Sequence, residues 1–142
     1  MKVQILGTRG IPAKHGGFET FAEDLSLFLV RNGHEVTVYC QSNRACKITT
    51  ERWSGVELVH VYGGEGAKGT VRFDYHCARE ALRRQGVILT LGYNTAILSL
   101  MYRFSGRVSV MNMDGIEWRR DKWSFVPIAC GGVSRGKCSG GA

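Results

Sequence analysis

The first forty residues constrain the fold more than any other stretch. A short apolar run, Val3-Gln4-Ile5-Leu6, gives way to GTRGIPAKHGG, in which four glycines and a proline fall within residues 7–17. Apolar side chains then recur at helical spacing: Phe18, Phe21, Ala22, Leu25, Phe28 and Leu29. Thr20 and Glu23 fit a capping box, with Thr20 at the N-cap and Glu23 three residues on. Gly33 stops the helix, and Val36-Thr37-Val38-Tyr39-Cys40 follows, rich in β-branched and aromatic residues. Strand, helix and strand in so short a span favour a right-handed βαβ crossover and a parallel strand pair.

The alternation continues. Residues 41–54 read as a polar surface loop, and 56–61 as a third strand. Gly63, Gly64, Gly66 and Gly69 read as breakers of regular structure ahead of a helix over 71–84, with Tyr75, Ala78 and Leu82 facing inward. A fourth strand is expected over 87–91, a helix over 95–104 with Ile97, Leu98 and Met101 inward, and a fifth strand over 108–111. Strands alternating with helices predict an α/β fold, a Rossmann-like doubly wound and mostly parallel sheet. Ligands of such sheets bind at the carboxyl ends of strands, near the point where strand order reverses. Composition changes near Pro127. We therefore expect one domain over 1–127 and a glycine-rich disordered tail over 128–142.

Totals exclude several classes of function. The chain has 142 residues, room for one domain with a core. Its formal net charge is +7, and the excess lies in the second half: residues 72–142 hold eleven basic and five acidic side chains, against eight and seven before them. That half suits a phosphorylated ligand or an anionic lipid surface. No zinc-finger, homeodomain or RNA-recognition pattern accompanies it, so nucleic acid is not the expected partner. The five cysteines form no CxxC pair, which points to free thiols in a reducing cytoplasm and not to a disulfide framework or a zinc site. No apolar run approaches the roughly 20 residues needed to span a bilayer. Peripheral membrane contact stays open.

Three stretches carry candidate chemistry, each with a plain alternative. The first is the opening loop. Gly16 and Gly17 before a helix let backbone N–H groups approach a diphosphate, and the helix dipole would stabilise its charge. Arg9 and Lys14 add positive charge. The spacing is neither GxGxxG nor a P-loop, and a structural connection with special backbone angles is the competing reading. His15 could donate to a phosphate or be a plain exposed histidine. Glu19 opposes an anion if it points inward, or binds a sugar hydroxyl or a nearby amide. The second stretch is NMDGIEWRRDKW. Asp114 and Glu117 either cap and complement a helix N-terminus, or put a carboxylate at a strand end able to orient or deprotonate a hydroxyl nucleophile. Trp118 and Trp123 suit stacking on a sugar face or packing, and Arg119, Arg120 and Lys122 suit an anionic acceptor, a lipid surface or plain solvent. The third is Gly92-Tyr93-Asn94-Thr95, where Tyr93 and Asn94 form a polar strand end that lines the cleft, or Asn94 or Thr95 simply caps the next helix.

Two of these stretches, ILGTRGIPAKHGGFETFAEDLSLFLVRNGHEVTVYC and VMNMDGIEWRRDKW, together resemble the N-terminal domain of family-4-type retaining glycosyltransferases. The nearest subgroup is the bacterial rhamnosyltransferase-like branch of exopolysaccharide and O-antigen assembly. The resemblance runs from Lys2 to about Pro127. It implies the first half of a GT-B architecture, in which two Rossmann-like domains face each other across a cleft. The first domain handles mainly the acceptor, and the second holds most of a nucleotide-sugar donor. Gly16, Gly17 and Arg9 then fall beside the donor diphosphate. Asp114, with Glu117, falls where related enzymes place a cleft residue near the transferred sugar; many of them carry histidine there, and this chain carries NMDG. His15, Glu19, Tyr93, Asn94, Trp118 and Arg119 fall on the acceptor side.

The resemblance further implies transfer of a sugar, with rhamnose the candidate, to a growing polysaccharide or lipid-linked glycan. Retention is assigned in such enzymes to same-face attack assisted by the donor phosphate, with no resident cofactor and no metal. The setting implied is cytoplasmic, with the inner face of the plasma membrane a candidate location. Nothing here resembles the second domain, so a truncated or frame-shifted product with weak activity of its own is expected. The alternative is an inactive acceptor-binding domain that pairs with a separate donor-binding subunit. A nucleotide-binding oxidoreductase is disfavoured, because GxGxxG is missing and Glu35 precedes the second strand instead of ending it.

Overall fold

The computed structural model describes residues 1–14, 16–45, 48–64, 66–92 and 96–112. Six strands form one sheet: β1 (Lys2–Leu6), β2 (Glu35–Ser42), β3 (Thr49–Trp53), β4 (Val56–Tyr62), β5 (Val87–Leu91) and β6 (Ser109–Asn112). Their order is β3-β4-β2-β1-β5-β6. All neighbours are parallel except β3 and β4. Without β3, the order is that of a Rossmann-like doubly wound sheet. The chain winds outward from β1 through β2 to β4, then returns to lay β5 and β6 on the other side. Strand order therefore reverses between β1 and β5.

Helices cover both faces. Helix α1 (Gly17–Arg31) packs on a cluster of Val3, Ile5, Val36, Val38, Val56 and Leu58. Helix α2 (Gly66–Arg83) and the short α3 (Ser99–Phe104), entered through a 3₁₀ turn at Ala96–Leu98, share the opposite cluster. There Phe73, Cys77, Ala78, Ala81 and Tyr102 meet Leu6, Tyr39, Val59, Val61 and Ile88. Successive strand residues point to opposite faces, which explains why both faces are apolar and why these strands read as near-continuous hydrophobic runs. One polar element crosses the second core. Tyr39 donates its hydroxyl to Gln4 Oε1 at 2.8 Å, and Gln4 Nε2 donates to the Ala81 carbonyl at 3.2 Å.

Several details differ from the sequence reading. Helix α1 starts at Gly17, so Thr20 lies inside its first turn and donates to the Gly16 carbonyl at 3.1 Å; no capping box forms. The polar stretch 41–54 contains β3, joined to β4 by a two-residue turn. Ser54 and Gly55 have φ of 48° and 86°, the left-handed pair that a tight hairpin turn requires. Gly66 and Gly69 belong to α2 and do not interrupt it. Gly69 lies against the Gly64 carbonyl and Gly63 against Phe73, so these glycines permit close packing. Tyr75 and Ile97 point outward; Phe73, Cys77 and Tyr102 take the inward positions. The tail expected over 128–142 lies outside the described residues.

Candidate functional site: the glycine loop at the sheet reversal

Gly7 follows the last residue of β1, and its φ is +85°. A Cβ there would run into the carbonyl oxygen of Leu91, the last residue of β5. The two strand ends therefore touch at the reversal, and only glycine allows it. Gly92 follows β5 with φ +84°, faces the ring of Phe18, and donates to the Asn112 carbonyl at 2.9 Å. The ends of β1, β5 and β6 thus converge on the start of α1.

Arg9 and Gly10 fold back over β2. Gly10 N donates to the buried Thr8 Oγ1 at 3.1 Å, and Gln41 N donates to the Arg9 carbonyl at 2.8 Å. A Cβ on Gly10 would lie 2.9 Å from Cys40 Cβ. Ile11 is buried in the α1-side core, and its bond to Pro12 is cis. Two carboxylates one helical turn apart hold the loop from the other side. Glu19 Oε1 accepts from Arg9 N at 3.2 Å, and Glu23 Oε2 accepts from Ala13 N at 2.5 Å. Residues four apart lie on one face of a helix, so α1 presents both to the loop.

The helix start itself has no side-chain cap. Gly16 is the N-cap with φ 104° and ψ 146°, and the first backbone bond runs from Thr20 N to the Gly16 carbonyl at 3.2 Å. The N–H groups of Gly17, Phe18 and Glu19 precede that bond and are the orphan donors that an anion at a helix start uses. Gly17 has open space around its Cα, and the Arg9 side chain is exposed nearby in sequence. Opposing them, the Glu19 carboxylate lies over Gly16, in the space where a Gly16 Cβ would stand. The site is thus a surface of backbone donors bordered by one carboxylate. It suits a ligand that brings both an anion and hydroxyl groups better than it suits a bare phosphate.

Of the residues singled out from the sequence, Arg9, Gly16, Gly17 and Glu19 are brought together here. Tyr93, Asn94, His15, Asp114, Glu117, Trp118 and Arg119 lie outside the described residues. Sequence reasoning missed Glu23 as a loop anchor, because it read that residue as half of a capping box. The available signal was the Glu19–Glu23 spacing opposite a loop rich in backbone donors. Among the described residues, no group of three His, Cys, Asp or Glu could hold a metal ion, and no helix is long and apolar enough to cross a membrane. Cys40 and Cys77 are free and buried. Burial pushes the Cys40 thiol up to about 11 and raises that of Cys77 further, which keeps both thiols protonated near neutral pH.

Residues 1–130 match a family described as a domain of unknown function, DUF1972. The chain belongs to the DUF1972 family. No curated protein matches it. In this DUF1972 domain the loop over Cys40 and Gln41 covers the carboxyl end of β2. A dinucleotide cofactor needs that strand end for its ribose, with an acidic residue to receive the hydroxyls. Here β2 ends in Cys40-Gln41-Ser42 beneath the loop.

Proposed function

We propose that this chain is the N-terminal, acceptor-side part of a retaining GT-B glycosyltransferase of the rhamnosyltransferase-like kind. The observation that carries the reading is the uncapped, glycine-lined start of α1 at the sheet reversal. The N–H groups of Gly17 and Phe18, with Arg9, receive the distal phosphate of a nucleotide-sugar. Glu19 accepts a hydroxyl of the donor or acceptor sugar. Asp114 and Glu117 are the candidates to orient the acceptor hydroxyl, and His15, Tyr93, Asn94, Trp118 and Arg119 to hold the acceptor glycan. In the reaction, the acceptor oxygen bonds to the anomeric carbon on the face from which the nucleoside diphosphate leaves. The acceptor proton passes to that departing phosphate. No resident metal or cofactor enters this proposal.

The remainder of the donor site comes, in this reading, from a second domain or a partner subunit, and the reaction takes place on the cytoplasmic side of a membrane. By itself the chain supplies half of a cleft, and both positioning and charge stabilisation need the other half. A radiolabelled-sugar assay of the chain alone should therefore show little transfer.

Binding is the sharper test. Titrating UDP, GDP and dTDP and their sugars into labelled protein should shift amide resonances of residues 7–19 and Gly92. Gly17→Ala has room to fold, since nothing lies within 4 Å of the added methyl. It should nevertheless weaken the tightest of these ligands about tenfold by blocking backbone approach. Tighter binding of NAD than of any nucleoside diphosphate, or shifts that map elsewhere, would sink the proposal.

A further inference from the structure

The face of the sheet that carries α2 and α3 presents a second pattern, unconnected with the glycine loop. Lys68, Arg72, Arg79 and Arg83 recur along the solvent side of α2, and Arg103 is exposed on α3, on the same face of the sheet. The acids of the same elements are drawn inward. Glu80 keeps 17% of its side chain exposed and bridges Arg83 at 3.4 Å and Arg84 at 3.6 Å. Asp74 is half-buried. Lys68, Arg72, Arg79 and Arg103 form no ion pair with any described residue. Among the described residues, the outward field of this face is therefore positive.

Between and beside these cations stand large apolar side chains that the core does not use. Val71 is 62% exposed, Tyr75 45%, Ile97 75%, Leu100 50% and Phe104 86%. Ile97, Leu100 and Phe104 follow a three-then-four spacing, which aligns them along one side of the α3 segment. The two helices lie on the same face of the sheet, since Cys77 and Ala78 of α2 share a core cluster with Tyr102 of α3. The opposite edge of the sheet differs. There β3 exposes Thr49, Thr50, Glu51 and Arg52, a polar and mixed-charge strand of the kind that discourages contacts.

We propose that the α2–α3 face docks on an anionic lipid surface. Protruding aliphatic and aromatic side chains enter the boundary between headgroups and acyl chains, while the surrounding Lys and Arg meet the lipid phosphates. Charge complementarity favours a lipid over a second copy of the chain, whose Arg72, Arg79 and Arg103 would confront their own kind. Aliphatic tips such as Ile97 and Leu100 favour it over nucleic acid, which is held by phosphate contacts and base stacking. This inference does not rest on the transferase reading, because it concerns a different surface and is read out without any sugar.

The test is co-sedimentation of the full chain with phosphatidylcholine vesicles, with and without 30% phosphatidylglycerol as a chosen probe composition (about one anionic lipid in three). Binding should require the anionic lipid and weaken with added salt. The double variant Arg72→Glu/Arg79→Glu should lose about tenfold or more in partitioning. Leu100→Ser/Phe104→Ser should also lose binding, with little loss of stability because both side chains are exposed. Arg31→Glu, on the other face of the sheet, should bind as the parent does. Equal binding to neutral and anionic vesicles would overturn the proposal. So would parental binding by both double variants, or binding to a DNA duplex that matches or exceeds binding to the anionic vesicles.

Discussion

Glu23→Ala tests how the glycine loop is held. The Glu23 carboxylate accepts a hydrogen bond from Ala13 N at 2.5 Å, across a part-buried gap between helix and loop. A hydrogen bond to a charged acceptor is worth roughly 1.5–3 kcal/mol, and partial exposure places this one in the lower part of that range. Alanine is the better helix former by a few tenths of a kcal/mol, which offsets a little of the loss. The net cost should be about 1–2 kcal/mol, or a fall in Tm of about 3–8 °C for a domain of this size. Glu23→Gln keeps a neutral acceptor at similar reach and should recover about half. Asp24→Ala, exposed one residue on, should stay within about 0.5 kcal/mol of the parent. Thermal melts give the first readout. The second is hydrogen exchange at Ala13, which should quicken in Glu23→Ala and stay slow in Asp24→Ala. Equal Tm values for the two alanine variants, with unchanged exchange at Ala13, would refute the idea that this carboxylate fixes the loop.

Three other outcomes follow from the same structure. Gly7→Ala combines a left-handed φ with a Cβ directed into the Leu91 carbonyl and should cost about 2–4 kcal/mol in denaturant titrations, whereas Gly17→Ala should be neutral or stabilising. Burial pushes the Asp74 carboxyl up to about 6. The folded state therefore holds a proton that the unfolded state has released, and stability falls as pH rises from about 4 to 6. Asp74→Asn removes that penalty and should be more stable than the parent by ~1–2 kcal/mol at pH 7, with the gap closing near pH 4; an unchanged gap would contradict it. Finally, iodoacetamide at pH 8 should leave Cys40 and Cys77 unmodified in folded protein and alkylate both in denaturant, read by peptide mapping.

How much of this was legible beforehand depended on whether a residue's role was local. The strands β1, β2, β4 and β5 announced themselves through apolar, β-branched runs, because strands buried on both faces need no alternation. Strand β3 did not. Its five residues are TTERW, mostly exposed, and what makes them a strand is pairing with β4 through the Ser54–Gly55 turn. The start of α2 was hidden for a related reason. Gly66 and Gly69 argue against a helix by propensity, but a packing contact with the Gly64 carbonyl demands a residue without a side chain at Gly69. In both places a tertiary contact outweighed the local preference.

The glycine loop shows the same limit at the candidate site. Its glycines are visible in the sequence, and they suggest a backbone open to a ligand. They do not reveal that the loop has two sides with different occupants. Arg9 N and Ala13 N are already engaged by Glu19 and Glu23, so these two donors hold the loop and are not offered to a phosphate. What remains for an anion is the first turn of α1, beyond the uncapped Gly16. The Glu19 carboxylate at its border means that any diphosphate seated there meets a negative neighbour. The electrostatic penalty is least when a hydroxyl stands between the two and donates to the carboxylate. A nucleotide-sugar carries such hydroxyls next to its diphosphate, whereas sulfate, fully deprotonated at neutral pH, has none. Glu19→Gln should therefore bind sulfate more tightly than the parent, while losing part of its preference for the nucleotide-sugar over the free nucleoside diphosphate.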